Sequence, residues 1–574
     1  MAATLPRPLE KPRSAHATLP RIGLGVFALL LSLLAQRVAL GARPADATAL
    51  FVAAIVLYLI AFPRSAAPLA VGAPGATRNK ALVRIGAIAL LLAAVLAAAA
   101  APRFITDKPA AWGWTLHLGS LGALLLGGVA LDLGLRPSAR SNGMGWHVAL
   151  GLLALVALAA ALRLPNLGSL PFGVWHDEAE NALAAQDILH NPVYRPFFLG
   201  ATSHTAHHNY LVALAFAWLG ETITAARTVS ALMGIAMVAA GYLVAAEIFH
   251  TAPSHGRARS LVGPTLGLTF AAILTVSSWS LNFSRIAVNY IATPLFILLA
   301  VGLLLHGLRT QRMGAYMLSG MALGMGLNFY SSFRLFMPVL PLFLLAALIA
   351  RRDLWARSWR GLLLWALAAI IVATPLLTFA ATNRDLFLKR SADTFLLTKV
   401  APADRMSELR DNTVTHLLMF NVAGDRNGRH NLPGRPMLDP WLGGFFVVGL
   451  AVCLWRWRRP VYLLLLFWLA FTLLGGILTL AFEAPQSLRA NGAMVAAYLI
   501  ALVPVAELLR AWDGSSGGRY YPRAGAVLAA FLMLPLAAWH LNQYFIVQQK
   551  DFAVWNAFST PETLTARALA ALDP

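Results

Sequence analysis

Apolar stretches of about 17 to 25 residues, each long enough to cross roughly 30 Å of hydrocarbon, recur along this whole chain. Lipid offers no partners to a bare backbone, so a spanning segment must satisfy its own amides, as a helix does. The pattern therefore predicts an all-α polytopic membrane protein. Spans are expected near 22–40, 46–62, 82–101, 112–134, 145–162, 224–249, 261–281 and 290–307. Seven more are expected near 314–329, 334–350, 361–381, 440–455, 460–482, 491–509 and 524–542, making fifteen. One apolar piece, 207–220, runs to about 14 residues; it reads as an interfacial helix in a large loop.

Charge orients these spans. The chain carries 45 Lys+Arg against 24 Asp+Glu, a formal net charge of +21. The basic residues gather in alternate short loops: Arg64/Arg78/Lys80/Arg84, Arg136/Arg140, Arg257/Arg259, Arg309/Arg312, Arg351/Arg352/Arg357/Arg360, Arg456/Arg458/Arg459 and Arg510/Arg519/Arg523. That is the positive-inside pattern, with the N-terminus cytoplasmic, and it argues against a nucleic-acid partner. Making 207–220 a full span would put every later cluster outside. The first apolar run reads as a retained anchor. A single cysteine, Cys453, excludes an intramolecular disulfide.

Three units follow: an N-terminal membrane bundle of about four spans (1–140), a principal membrane domain (141–542) and a short outer tail (543–574). The outer side then receives loops 163–223 and 382–439, the Glu483–Arg489 turn and the tail, which together hold most of the acid. An outer cavity lined by a few carboxylates and several arginines suits an anionic substrate with a lipid tail.

The unusual chemistry starts where the fifth span ends, in Arg163-Leu164-Pro165 and then His176-Asp177-Glu178-Ala179-Glu180. Asp177 with Glu180 is also a capping box, a purely local reading. Asp177 and Glu178 point to different helix faces, so one acid suffices for a cavity. Arg285, Arg334 and Arg489, near span ends on the acidic side, are candidates for phosphate contact, although each alone would suit a snorkelling anchor. His176, His207 and His208, with Asp425, Arg429 and His430 from the 382–439 loop, are candidates for the acceptor side. A divalent metal could be held by His176, Glu178 and His207, although the spacing is no strong signature. Gly424–Gly434 lacks the Gly-Lys-Ser/Thr of a nucleotide cradle.

A span ending in Arg, then Leu…Pro, a short Gly turn and Asp-Glu-Ala opening an Ala-rich helix resembles the first outer loop of the GT-C membrane glycosyltransferases. The likeness is to the protein O-mannosyltransferase and lipid A aminoarabinose transferase group, glycosyltransferase family 39-like. ITAARTVSALMGIAMVAAGYLVAAEIF, SRIAVNYIATPLFILLA and APQSLRANGAMVAAYLIA extend it over roughly 145–510. His207-His208-Asn209 stands where the group shows Pro-Pro or His-Pro, and Asn289 where an acid is usual.

The resemblance implies a GT-C fold of about 11 transmembrane helices, with the first four spans an addition. It implies transfer of a sugar from a polyprenyl-phosphate donor, with inversion, on the outer face of the plasma (inner) membrane. Asp177 becomes the general base on an acceptor hydroxyl and Glu178 a supporting residue; the acceptor is a lipid, a glycan or a protein. No cofactor beyond that metal is implied. The rival class is a transporter or flippase of lipid-linked sugars, which would call for polar residues at mid-membrane and paired broken helices.

Overall fold

The structure, a computed structural model, describes residues 15–41, 43–63, 69–73, 77–135, 144–200, 203–251, 260–513 and 533–572. It is an all-α polytopic membrane protein. The N-terminal helices are α1 (Ala15–Leu40), α2 (Pro44–Ala61), α3 (Lys80–Ala100), α4 (Ala111–Gly134) and α5 (Trp146–Arg163). Next come α6 (His176–His190), α7 (His207–Leu219), α8 (Ile223–Ile248), α9 (Val262–Val276), α10 (Ser278–Ser284), α11 (Ala292–Thr310) and α12 (Met313–Gly326). The series continues with α13 (Val339–Ala350), α14 (Asp353–Thr382), α15 (Arg384–Thr394), α16 (Leu396–Lys399) and α17 (Arg405–Leu418). It closes with α18 (Pro440–Trp455), α19 (Pro460–Ile477), α20 (Asn491–Asp513), α21 (533–542), α22 (Phe552–Ala557) and α23 (Thr560–Ala570).

Among the described residues, eleven helices are long and apolar enough to cross a membrane, or twelve with α9 and α10 taken as one bent span. Fifteen were expected. α12 has only 14 residues because the chain turns at Asn328, whose N–H closes on the Met325 carbonyl. Asp439 caps α18 at its start, and that helix stops at Arg456 after 16 residues. The first nine residues of the 524–542 span (524–532) lie outside the described residues, as do Arg64, Arg136, Arg140, Arg257, Arg259, Arg519 and Arg523 of the basic loops.

α20 organises the interior. It is apolar on every side, which a helix tolerates only when enclosed; its whole apolar window is buried, among α1, α9, α11, α18 and α19. By contrast α3 and α5 leave most of their surface to lipid. The first four helices do not make one bundle. α1 and α2 pack together and onto α18, whereas α3 and α4 pack together and onto α12 and α14. Ala93, Ala97, Ala123 and Leu124 accordingly share a separate core with Met317, Leu364 and Ala368.

Two features position the site. α9 and α10 are bent by 59° at Ser277, whose hydroxyl meets Tyr498 on α20 at 2.7 Å. The break carries residues 285–289 under the loop that follows α5. A two-stranded ribbon, Phe198–Leu199 against His204–Thr205, then links α6 to α7.

Candidate active site

Three buried guanidinium groups hold the crossing between α5 and α6. Its Pro-interrupted backbone makes no regular helix, so its carbonyls need donors from elsewhere. Arg285 donates to the carbonyls of Leu162, Arg163, Pro165 and Leu170 at 2.8–3.2 Å. Arg227, from the first turns of α8, donates to Leu167, Pro171 and Gly173 at 2.6–2.9 Å. Arg163 itself reaches back to the carbonyls of Leu274 and Thr275 and to the Ser280 hydroxyl. Arg offers five donors in a rigid fork, which suits such clusters of carbonyls.

The adjacent acids of α6 then divide. Glu178 is buried and fully engaged. It accepts from Arg227 at 2.8 and 2.9 Å, from the Ala287 amide at 2.8 Å and from the Trp175 amide at 3.1 Å. The helix is therefore capped by Glu178 reaching back to Trp175, and the expected Asp177–Glu180 box is not the cap. Freed from that task, Asp177 turns to a cavity of about 500 Å³. Its Oδ2 accepts a 2.7 Å hydrogen bond from the Tyr290 hydroxyl, its Oδ1 lies 3.6 Å from His176 Nδ1, and its side chain stays 42% exposed.

The cavity draws its lining from every outer segment singled out in the sequence. Trp175, His176, Asp177 and Glu180 come from the start of α6, and His204 from the ribbon. Asn289 and Tyr290 follow α10, Tyr330 precedes α13, and Lys389 and Arg390 come from α15. Arg429 and His430 belong to the loop before α18, Glu483, Gln486 and Arg489 to the turn before α20, and Phe558 to the tail. Four cationic side chains thus share one wall system with the carboxylates of Asp177, Glu180, Asp393 and Glu483. Arg489 meets Glu483 at 2.8 Å, and the Arg429 guanidinium lies flat on Trp175 at 3.5 Å while donating to the Ala557 carbonyl. Burial lowers the Arg429 pKa.

Several candidates lie elsewhere. Arg285 is spent on carbonyls, as described. Arg334 stacks on Phe387 at 3.7 Å and does not line this cavity. Of the arginine trio only Arg489 does; both others satisfy neighbours that residue type alone does not disclose. His207 packs among Trp114, Phe197 and Phe329 beside a separate apolar cavity. His208 is buried and does not line the cavity. Burial pushes both histidines down to a pKa of about 3. Asp425 is buried behind His430. Burial raises its pKa, but His430 together with hydrogen bonds from Asn427 and Ser487 brings it below the usual range.

The anticipated metal set of His176, Glu178 and His207 does not assemble, because Glu178 is saturated and His207 sits in the aromatic cluster. Ligand atoms of His176, Asp177 and Glu180 do fall within 4.8 Å of one another, a donor set that suits a divalent cation. Sequence reasoning missed Tyr290, Lys389, Arg390 and Gln486 as lining residues. Tyr290 and Gln486 carried a local signal, sitting inside the SRIAVNY and APQSLRA elements; Lys389 and Arg390 carried none.

No family model and no curated protein matches the chain. Among solved structures, ArnT from Cupriavidus metallidurans bound to undecaprenyl phosphate overlays at TM-score 0.38 and 14% identity, covering 73% of this chain and 77% of that one. The same protein in its apo state gives 0.39 and 14%, covering 72% and 76%. The arabinosyltransferase EmbB from Mycobacterium smegmatis gives 0.36 and 16%, covering 79% of this chain and 47% of that one. Overlays this loose carry none of the functional reading.

Proposed function

We propose that the protein is an inverting membrane glycosyltransferase that moves a sugar from a polyprenyl-phosphate donor to an acceptor hydroxyl at the outer face of the plasma membrane. One observation carries the reading: Asp177 is a carboxylate with its own helix already capped, hydrogen-bonded by Tyr290 and facing a cavity that Lys389, Arg390, Arg429 and Arg489 also line. The first-loop resemblance points to the same residue.

In this reading the acceptor proton passes to Asp177 as the acceptor oxygen bonds to the anomeric carbon. The bond from that carbon to the phosphate oxygen breaks, and its electron pair leaves with the lipid phosphate. A phosphate needs no proton to depart, so cations suffice on its side, and Arg489, Arg390 and Lys389 are the groups available. Glu178 works through the backbone, holding α6 against α8 so that Asp177 keeps its direction. Arg285 and Arg334 are left out of phosphate contact. A divalent cation held by His176, Asp177 and Glu180 would add positive charge for the departing phosphate.

Membranes containing the protein, supplied with labelled polyprenyl-phosphate sugars, test this. Asp177→Asn is expected to reduce transfer by about 10² to 10⁴-fold, the usual contribution of a positioned base, with expression unchanged. Full transfer by that variant would overturn the assignment.

A further inference from the structure

One buried carboxylate meets this cavity indirectly, through a histidine. Asp425 is 1% exposed and both of its oxygens are occupied. Oδ1 accepts from the Asn427 amide at 2.8 Å. Oδ2 accepts from His430 Nδ1 at 2.9 Å and from the amide and hydroxyl of Ser487 at 2.8 and 2.7 Å. A ring held this way carries its proton on Nδ1, and in the neutral form leaves a lone pair on Nε2.

Other buried histidines with partners on both sides behave differently. His416 uses Nδ1 on the Asn412 carbonyl and Nε2 on the Gln486 amide; His540 uses Nδ1 on Ser278 and Nε2 on Asp439. Among the described residues nothing in the protein meets His430 Nε2, and the residue lines the cavity. The Phe283 ring packs near both His430, at 5.6 Å between centroids, and Tyr290, the donor to Asp177, at 6.3 Å.

We propose that His430, held by Asp425, accepts a hydrogen bond at Nε2 from a ring hydroxyl of the sugar being transferred, and so determines which sugar the site takes. The inference rests on the function proposed above and names the group that reads the donor. The cations of the same lining agree with it: Arg489, Arg390 and Lys389 are left for the phosphate, while the neutral imidazole offers an acceptor at Nε2. Gln486, on the same turn as Ser487, lines the cavity beside it.

The test pairs a polyprenyl-phosphate hexose with its deoxy series, one hydroxyl removed at a time, against wild type, His430→Phe and His430→Gln. Wild type should use one deoxy donor about ten- to a hundredfold less well than the parent, the cost of leaving a buried acceptor without its donor. His430→Phe should lower the parent to that level and leave that deoxy donor unchanged, while His430→Gln, which keeps an acceptor, should recover part of the difference. A loss spread equally over every donor in His430→Phe would overturn the proposal even with transfer intact. No transfer by wild type from any lipid-phosphate sugar would instead overturn the glycosyltransferase reading, and this inference with it.

Discussion

Asp177 and Glu178 are neighbours of one chemical type with opposite fates, decided by which face of α6 each occupies. Glu178 disappears into four hydrogen bonds, and Asp177 keeps one, from Tyr290. Tyr290→Phe removes only that donor. It is expected to lower kcat at least about tenfold with little change in KM, since a hydrogen bond to a carboxylate is worth about 1.5–3 kcal/mol; an unchanged kcat would separate Tyr290 from the chemistry. The buried imidazoles give a pH prediction. His207 and His208 fall from 6.5 to about 3 in the folded chain, through burial. They stay neutral where the unfolded chain would bind protons, so their stabilisation is complete above pH 6.5 and is lost as pH falls toward 3. Thermal unfolding in detergent should show that decline, and His208→Gln should make it shallower. At this scale the sequence pointed to Asp177, which lines the cavity, and to Arg285 and Arg334, which do not. A guanidinium near a span end answers equally to a ligand or to stray carbonyls, and residue type does not say which.

The loop between α5 and α6 keeps its path because side chains from other helices supply the hydrogen bonds its prolines deny it. Arg227 is the central clamp: a buried cation paired with Glu178 and shared among three carbonyls. Removing one partner of such a pair leaves an uncompensated charge, so Arg227→Ala should cost about 3–5 kcal/mol in detergent unfolding. Arg227→Lys should recover little, because an ammonium cannot reproduce the fork. The tail contributes a second clamp that hydropathy could not reveal, since α22 and α23 are short and carry no span signal. A Cβ added at Gly173 would run into the Phe558 carbonyl and the Thr560 backbone, and one added at Gly428 would lie 2.7–3.0 Å from Ala553 and Val554. Any added side chain there meets backbone. Gly173→Val is expected to detach the 552–570 segment, read as faster amide exchange in those residues, and to reduce transfer while the membrane helices keep their protection.

On the scale of the whole molecule, the alternation of apolar runs and arginine clusters was enough to read an all-α polytopic protein. Those clusters also grouped on one side the segments whose residues line the cavity. What they could not convey was pairing. Four N-terminal spans of similar composition divide between two cores because the complementary surfaces belong to α12, α14 and α18, hundreds of residues away. Cys453 is fully buried, which permits a direct check of sidedness. Ser407→Cys, on exposed α17, should react with a membrane-impermeant maleimide on intact cells, and Arg458→Cys, between α18 and α19, only after the membrane is opened. The reverse pattern would invert the orientation. The hydrogen bond from the Val174 amide to Thr563 joins positions 389 residues apart. A chain still on the ribosome with α20 already inserted therefore has its helices in lipid and no finished cavity. On the proposed function, transfer needs the tail folded back against the cavity, so a stop codon placed just ahead of α22 should yield a protein that is made, inserted and inert.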